Sequence, residues 1–269
     1  MPNSARHATS ESLPDSPLDI GTTIYHLAYE ARSASAITGA VLAARGGARS
    51  VRDVISSEMW ECLNVTSLAL GRQRRAAERL GPHVYLQFIR ERSALFFGLA
   101  DSTMSHDDAW RFLVLGRSVE RVDMTARLLI ARMPETPDEV GWLMLLRACG
   151  AYESFIRSHG WAGSQARAAE FLILDRLFPR SVLHALATAE ECLAALDPEA
   201  GRAGMADPAR RPIGALRTRL EYSHPDLSPD QLAELLAALQ QTCRQASEEI
   251  TSRYFRHAAP VAWAQGVPT

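Results

Sequence analysis

"WRFLVLGRSVERVDMTARLLIARM", residues 110–133, is the stretch on which the fold turns. Phe112, Leu115, Val119, Val122, Ala126 and Leu129 recur at alternating spacings of three and four, the seam of a helix packed in coiled-coil fashion. Leu113, Met124 and Leu128 lie on another side, interleaved with Arg117, Glu120 and Arg121. A helix that is apolar nearly all round belongs inside a bundle, where its charges need partners.

Outward from this helix the same period continues and no strand-like alternation interrupts it. It predicts helices at about 20–30, 35–46, 48–71, 82–99, 106–132, 138–158, 164–177, 179–196, 209–222 and 228–256. The fold class is therefore all-α, a multi-helix bundle of about 8–10 helices. Ser105 before two aspartates suits an N-cap, Pro179 suits a first helical turn, and "LDPEAGRAGMADPARRP" (196–212) is the longest break. Residues 1–18 are Ser/Pro-rich and aperiodic and read as a disordered leader. A helical domain over 19–257 and a flexible tail over 258–269 follow.

Composition narrows the function. The chain has 269 residues and a formal net charge of −2, which offers no global basic field for nucleic acid. No apolar run is long enough to span a bilayer, and the N-terminus lacks the apolar centre of a signal peptide, so the expected location is the cytoplasm, with no membrane association. All 29 basic residues are arginine, so neither a P-loop lysine nor a Schiff-base lysine is available. Cys62, Cys149, Cys192 and Cys243 are widely spaced and read as small core residues. One Glu-x-x-His motif, at Glu221 and His224, falls short of the paired motifs of a di-metal bundle, and no metal ligand is assigned. The motifs of zinc proteases and serine hydrolases do not occur.

A second unusual stretch, "ARSVRDVISSEMWECLN" (48–64), also reads as helical. On that reading Glu58 falls in the middle of an apolar face of Val51, Val54, Ile55, Cys62 and Val65. Arg49, Asp53, Ser56, Trp60, Asn64 and Ser67 recur opposite, a polar stripe interrupted by one indole. Glu58 is expected to be buried within salt-bridge reach of Arg117 or Arg121. A third patch, "AAEFLILDRLFPRS" (168–181), sets Glu170 and Arg180 beside a helix start. Each group has two readings: structural ion pairing and capping, or an interior cleft in which arginines grip a carboxylate or phosphate. Trp60, Trp110, Leu115, Val119, Val122 and Phe171 are expected in the core.

At these blocks, together with "LLRACGAYESFIR" (145–157) and "EEITSRYF" (248–255), the chain resembles the bacterial alpha-E domain family, in order from about residue 22 to residue 257. The family carries two G-R-x-x-E-R copies. Only the second, Gly116-Arg117…Glu120-Arg121, stands in this sequence. The resemblance implies a helical partner, encoded beside or fused to a circularly permuted ATP-grasp carboxylate–amine ligase, often with a transglutaminase-like peptidase. It implies participation in forming peptide-like amide bonds, with ATP and Mg held only by the ligase and no cofactor on this chain.

The leading expectation is a domain that positions or transfers an amino-acid-like or activated acyl substrate. Glu58 or Glu120 would deprotonate the attacking amine. Arg117 and Arg121 would hold carboxylate or acyl phosphate, and Arg49, Arg52, Asp53, Trp60, Asn64, Glu170 and Arg180 would line the cleft. A non-catalytic scaffold module and a free-standing transferase or hydrolase stay open beside it, as does a homo-oligomer.

Overall fold

The computed structural model describes residues 19–133, 139–160, 165–197, 207–223 and 228–255. The expected leader, the tail and most of the 196–212 break lie outside the described residues. Among the described residues the chain forms eleven α-helices and one π-helical turn, with no strand. It divides into two compact units with the boundary between Ser105 and His106.

The first unit begins with α1 (Ile20–Ile24), which runs into the π turn Tyr25–Tyr29. Then follow α2 (Ile37–Ser50), α3 (Ser57–Leu80) and α4 (His83–Thr103). Helices α3 and α4 pack as a hairpin through Gly81, whose φ of 104° suits glycine. The core is small: Ala28, Leu70, Ala77 and the fully buried Tyr85, flanked by Ile24, Tyr29, Ile37, Val41 and Ile89. The Tyr85 hydroxyl lies 2.7 Å from that of Thr38, which donates to the Ala28 carbonyl at 2.8 Å. Burial pushes the Tyr85 phenol up from its ordinary pKa. Helix α2 crosses the 31–36 segment so closely that a Cβ on Gly39 would stand 1.9 Å from the Ser33 carbonyl oxygen.

The expected helix over 48–71 is two helices. Helix α2 ends at Ser50, residues 51–55 turn, and Ser56 caps α3 by accepting from the Met59 N–H at 3.2 Å. The Thr103 hydroxyl donates to the same Ser56 oxygen at 2.8 Å, tying the start of α3 to the end of α4. The turn resets the helical phase. Met59, Cys62, Thr66, Ala69, Leu70 and Ala77 form the buried face of α3, while Glu58 is exposed in its first turn. A carboxylate there suits the helix dipole and needs no interior partner.

The second unit contains α5 (Asp108–Arg132), α6 (Glu139–Ala148), α7 (Tyr152–His159), α8 (Gln165–Leu174), α9 (Val182–Leu196), α10 (Arg210–Glu221) and α11 (Pro229–Tyr254). Asp107, Ser181 and Ser228 cap α5, α9 and α11, the last as a full capping box with Gln231. Helix α5 packs on both α9 and α11, and α10 closes against the same two. The expected seam is the core: Leu115, Val119, Val122, Ala126 and Leu129 are buried, with Phe112 packed at its edge. Phe171 is buried, whereas Trp60 and Trp110 are half-buried, the latter under the stacked His106 ring at 3.9 Å.

Expected helix 138–158 is broken at residues 149–151, where Gly150 adopts φ of 63° and separates α6 from α7. Arginines lock the ends of this unit. Arg217 lies 2.5 Å from both Glu190 and Glu221, joining α9 to α10. Arg253, near the end of α11, pairs with Asp197 and, at 3.2 Å, with the buried Asp207, which also accepts from the Ala209 N–H ahead of α10.

Two measurements check this geometry. Ser56→Ala should lower stability by about 1 kcal/mol in denaturant titration, the usual scale for a lost N-cap, while Ser57→Ala should shift it by less than about 0.5 kcal/mol. Equal small effects would instead describe an unbroken helix. Gly39→Ala should cost about 1–3 kcal/mol by forcing the chain off the Ser33 carbonyl. Gly47→Ala, with nothing within 4 Å of its added Cβ, should gain about 0.5–1 kcal/mol.

Candidate functional site

Glu120 of the G-R-x-x-E-R segment is exposed on α5, at the edge of a groove of about 420 Å³ between α5 and α11. Helix α5 supplies Val119, Glu120, Asp123 and Arg127, and α11 supplies Gln240, Cys243, Arg244 and Ser247. Both stripes follow helical spacing, so the seam that buries Val122 and Ala126 also fixes where these polar groups stand. Asp123 accepts from Arg127 Nε at 2.6 Å, and this bond raises the pKa of the guanidinium. Arg244 is exposed with no carboxylate partner among the described residues. The lining thus carries two carboxylates, two guanidinium groups, an amide and a hydroxyl, with formal charges that balance.

Cys243 forms the floor. Its thiol points to the Val119 carbonyl at 3.7 Å and its pKa is pushed up to about 12, first by burial and then by the negative charges of Asp123 and Glu120. A thiol held in that state is a poor nucleophile. The groove can hold and orient a ligand through both signs of charge, but it contains no activated nucleophile. Among the described residues no three His, Cys, Asp or Glu side chains gather as metal ligands, and no helix is long and apolar enough to cross a membrane.

The other expected site residues divide into several places. In the first unit, Arg52 and Arg45 set their guanidinium carbons 4.7 and 5.6 Å from the centre of the Trp60 ring, and Arg45 Nε donates to the Asn64 side-chain oxygen at 2.9 Å. Arg52, Trp60 and Asn64 are therefore brought together, with Arg45 as an unforeseen fourth member. Arg49 and Asp53 are exposed and, among the described residues, make no hydrogen bond or ion pair with this group.

Glu58, expected in the interior, is exposed. Glu58 has no ion pair among the described residues. Arg121 donates to the Pro179 carbonyl at 3.3 Å, and Arg180 donates to the Cys149 carbonyl at 3.3 Å. These two guanidinium groups bind chain breaks, the 175–181 corner and the 149–151 turn. Arg117 and Glu170 are half-buried, on α5 and α8 respectively, and neither lines the α5–α11 groove.

Of the residues that line this groove, sequence reasoning singled out Glu120 but not Asp123, Arg127, Gln240, Arg244 or Ser247. The signals were present as an i,i+4 acid–base pair just after the motif and as a polar stripe at spacings of four and three on the last helix. What joins them is the packing of α5 on α11, which no local pattern states.

Comparison with known proteins places the chain in a family. No solved structure matches the chain. An uncharacterized protein of Mycobacterium bovis is 26% identical over 223 residues, covering 76% of this chain and 25% of that protein. Uncharacterized proteins of two Mycobacterium tuberculosis strains match at the same identity and coverage. The chain thus spans about a quarter of the length of these relatives. The Alpha-E model, described as "a predicted alpha-helical domain with a conserved ER motif", matches residues 3–255, nearly the whole chain. With Glu120-Arg121 as an ER pair on the central helix of the second unit, this protein belongs to the Alpha-E family.

Proposed function

We propose that this Alpha-E domain is the helical partner of a circularly permuted ATP-grasp amide ligase and that its α5–α11 groove positions an amino-acid-like substrate. One observation carries the reading: the motif carboxylate Glu120 opens onto a groove whose charges of both signs complement a zwitterion. Arg244 and Arg127 receive the substrate carboxylate, for which the guanidinium fork is suited. Glu120, with Asp123 beside it, receives the ammonium group and removes a proton from it; the freed amine attacks an acyl phosphate formed on the ligase, and the amide forms as phosphate leaves. ATP and Mg belong to that ligase, and a transglutaminase-like peptidase is a further partner of the system. Glu58, exposed at a helix start, is left out of this machinery.

The second reading, a non-catalytic scaffold, is favoured by Arg121 and Arg180, whose guanidinium groups bind backbone carbonyls. The two readings separate in a purified complex of this chain with the ligase, assayed for amide product and thermal midpoint together. Glu120→Gln should lower product formation by at least about tenfold, on the scale for removing an acid–base group, and Arg244→Met should raise the KM for the amine substrate. Neither change should move the midpoint, since both side chains are exposed. Full activity in both variants would leave only the scaffold.

The state of Cys243 gives a separate check on the groove. At pH 8 its alkylation by iodoacetamide should be slower than that of free cysteine by about three orders of magnitude, because so little thiolate is present. Asp123→Asn removes one of the charges that oppose ionisation and should speed the reaction. Labelling of Cys243 at the free-cysteine rate would mean that the floor of the groove is not packed as described.

A further inference from the structure

The first unit holds a different kind of groove, of about 340 Å³ between α2, α3 and α4. Its walls are largely apolar, with Ile37, Val41, Leu63, Ile89 and Phe96 among them, and a single charged side chain, Arg92, lines it. Arg92 is half-buried. Its Nε donates to the Thr66 hydroxyl at 2.9 Å, and its Nη2 reaches the Cys62 carbonyl at 3.2 Å and the Cys62 sulfur at 3.3 Å. Those bonds hold the guanidinium in place and leave Nη1 without a protein partner among the described residues. No carboxylate lies within ion-pair distance of Arg92 among those residues.

A guanidinium group fixed against an apolar wall without a counter-charge is unfavourable, and so is hydrocarbon surface left open to water. One occupant relieves both: an anion whose body is apolar. The volume falls at the lower end of small-molecule sites. We propose that this groove binds a small anionic amphiphile, a hydrocarbon chain ending in a carboxylate, with the carboxylate on Arg92 Nη1 and the chain along α2 and α4. The site is separate from the α5–α11 groove and does not depend on the function proposed for it.

The test is calorimetric titration of the full chain with hexanoate, octanoate, decanoate and decanol, with no ligase present. Decanoate should bind saturably at one site, at least about tenfold more tightly than decanol, the scale of one charge-assisted hydrogen-bonded pair. Affinity should rise by about fourfold for each CH₂ from hexanoate to decanoate. Arg92→Gln should abolish the preference for decanoate over decanol and leave decanol binding unchanged. Ala40→Trp, which fills the groove from α2 without touching the bonds of Arg92, should weaken both ligands by at least about tenfold; it decides the matter should Arg92→Gln fail to fold. Equal affinity for decanoate and decanol, unchanged binding in Ala40→Trp, or the absence of saturable decanoate binding would each overturn the proposal. Concentration-dependent self-association without decanoate binding would overturn it too, since a second copy would then be the occupant.

Discussion

Burial of the Leu115–Val119–Val122–Ala126–Leu129 seam governs the second unit, because α5 must satisfy two neighbours with one helix. Packed on α9 and α11 together, it has little rotational freedom: turning it by one residue would swing Val122 outward and bring Asp123 into hydrocarbon, at a cost of several kcal/mol. The orientation of Glu120 follows from that choice. It lies one residue beyond the buried Val119, whose carbonyl accepts the Cys243 thiol of α11, so the same contact that closes the core sets the floor of the groove. Polar groups held on two helices whose other faces are buried keep their positions without a ligand, and a binding site built that way loses little entropy when filled.

Much of this was legible in the sequence because α5 states its environment locally. A three–four seam with no Pro and a single glycine, Gly116, within it can be read residue by residue, and the capping signals at α11 behave in the same way. The 48–64 stretch misled for a physical reason. Its turn at 51–55 contains neither Gly nor Pro, and Val51, Val54 and Ile55 continue an apolar rhythm across it, so the helical phase was carried through a break that only the Ser56 cap reveals. A slip of phase moves every later residue to another face, which is how an exposed first-turn Glu58 was read as buried. Gly150 is the milder case: one positive-φ glycine ends α6, but a lone glycine inside a periodic segment reads equally well as tolerated. Arg45 and the α11 stripe escaped notice because their partners lie on other helices.

The arginines explain why a charge count did not locate the site. In a lysine-free chain guanidinium serves every cationic purpose, and its fork can hold two acceptors at once. Arg217 bridges two glutamates, Arg253 two aspartates, and Arg121 and Arg180 bind carbonyls left open where helices break. Arg121 and Arg180 each give a bond to such a carbonyl, since a chain break leaves carbonyls that need donors as surely as a substrate does. Arg92 and Arg244, which line the grooves and have no ion pair among the described residues, are the ones that point toward a ligand.

The two units solve the same problem with unequal resources. The second has a core continuous from α5 through α11, and its groove is polar because apolar side chains are already buried elsewhere. The first has a small cluster of Ala28, Leu70 and Ala77 around the fully buried Tyr85, leaves Leu42, Val65, Leu68, Leu86 and Leu95 exposed, and its groove is apolar. A unit with so small a core gains proportionally more from covering hydrocarbon, because each added contact is a larger fraction of its stability. A ligand that binds only the folded form raises that stability with its concentration. In the second unit the same gain is a smaller fraction of the stability that its larger core supplies. A ligand of the first unit therefore acts as much on the fold as on its own site, whereas a ligand of the second meets a surface that the core has already set.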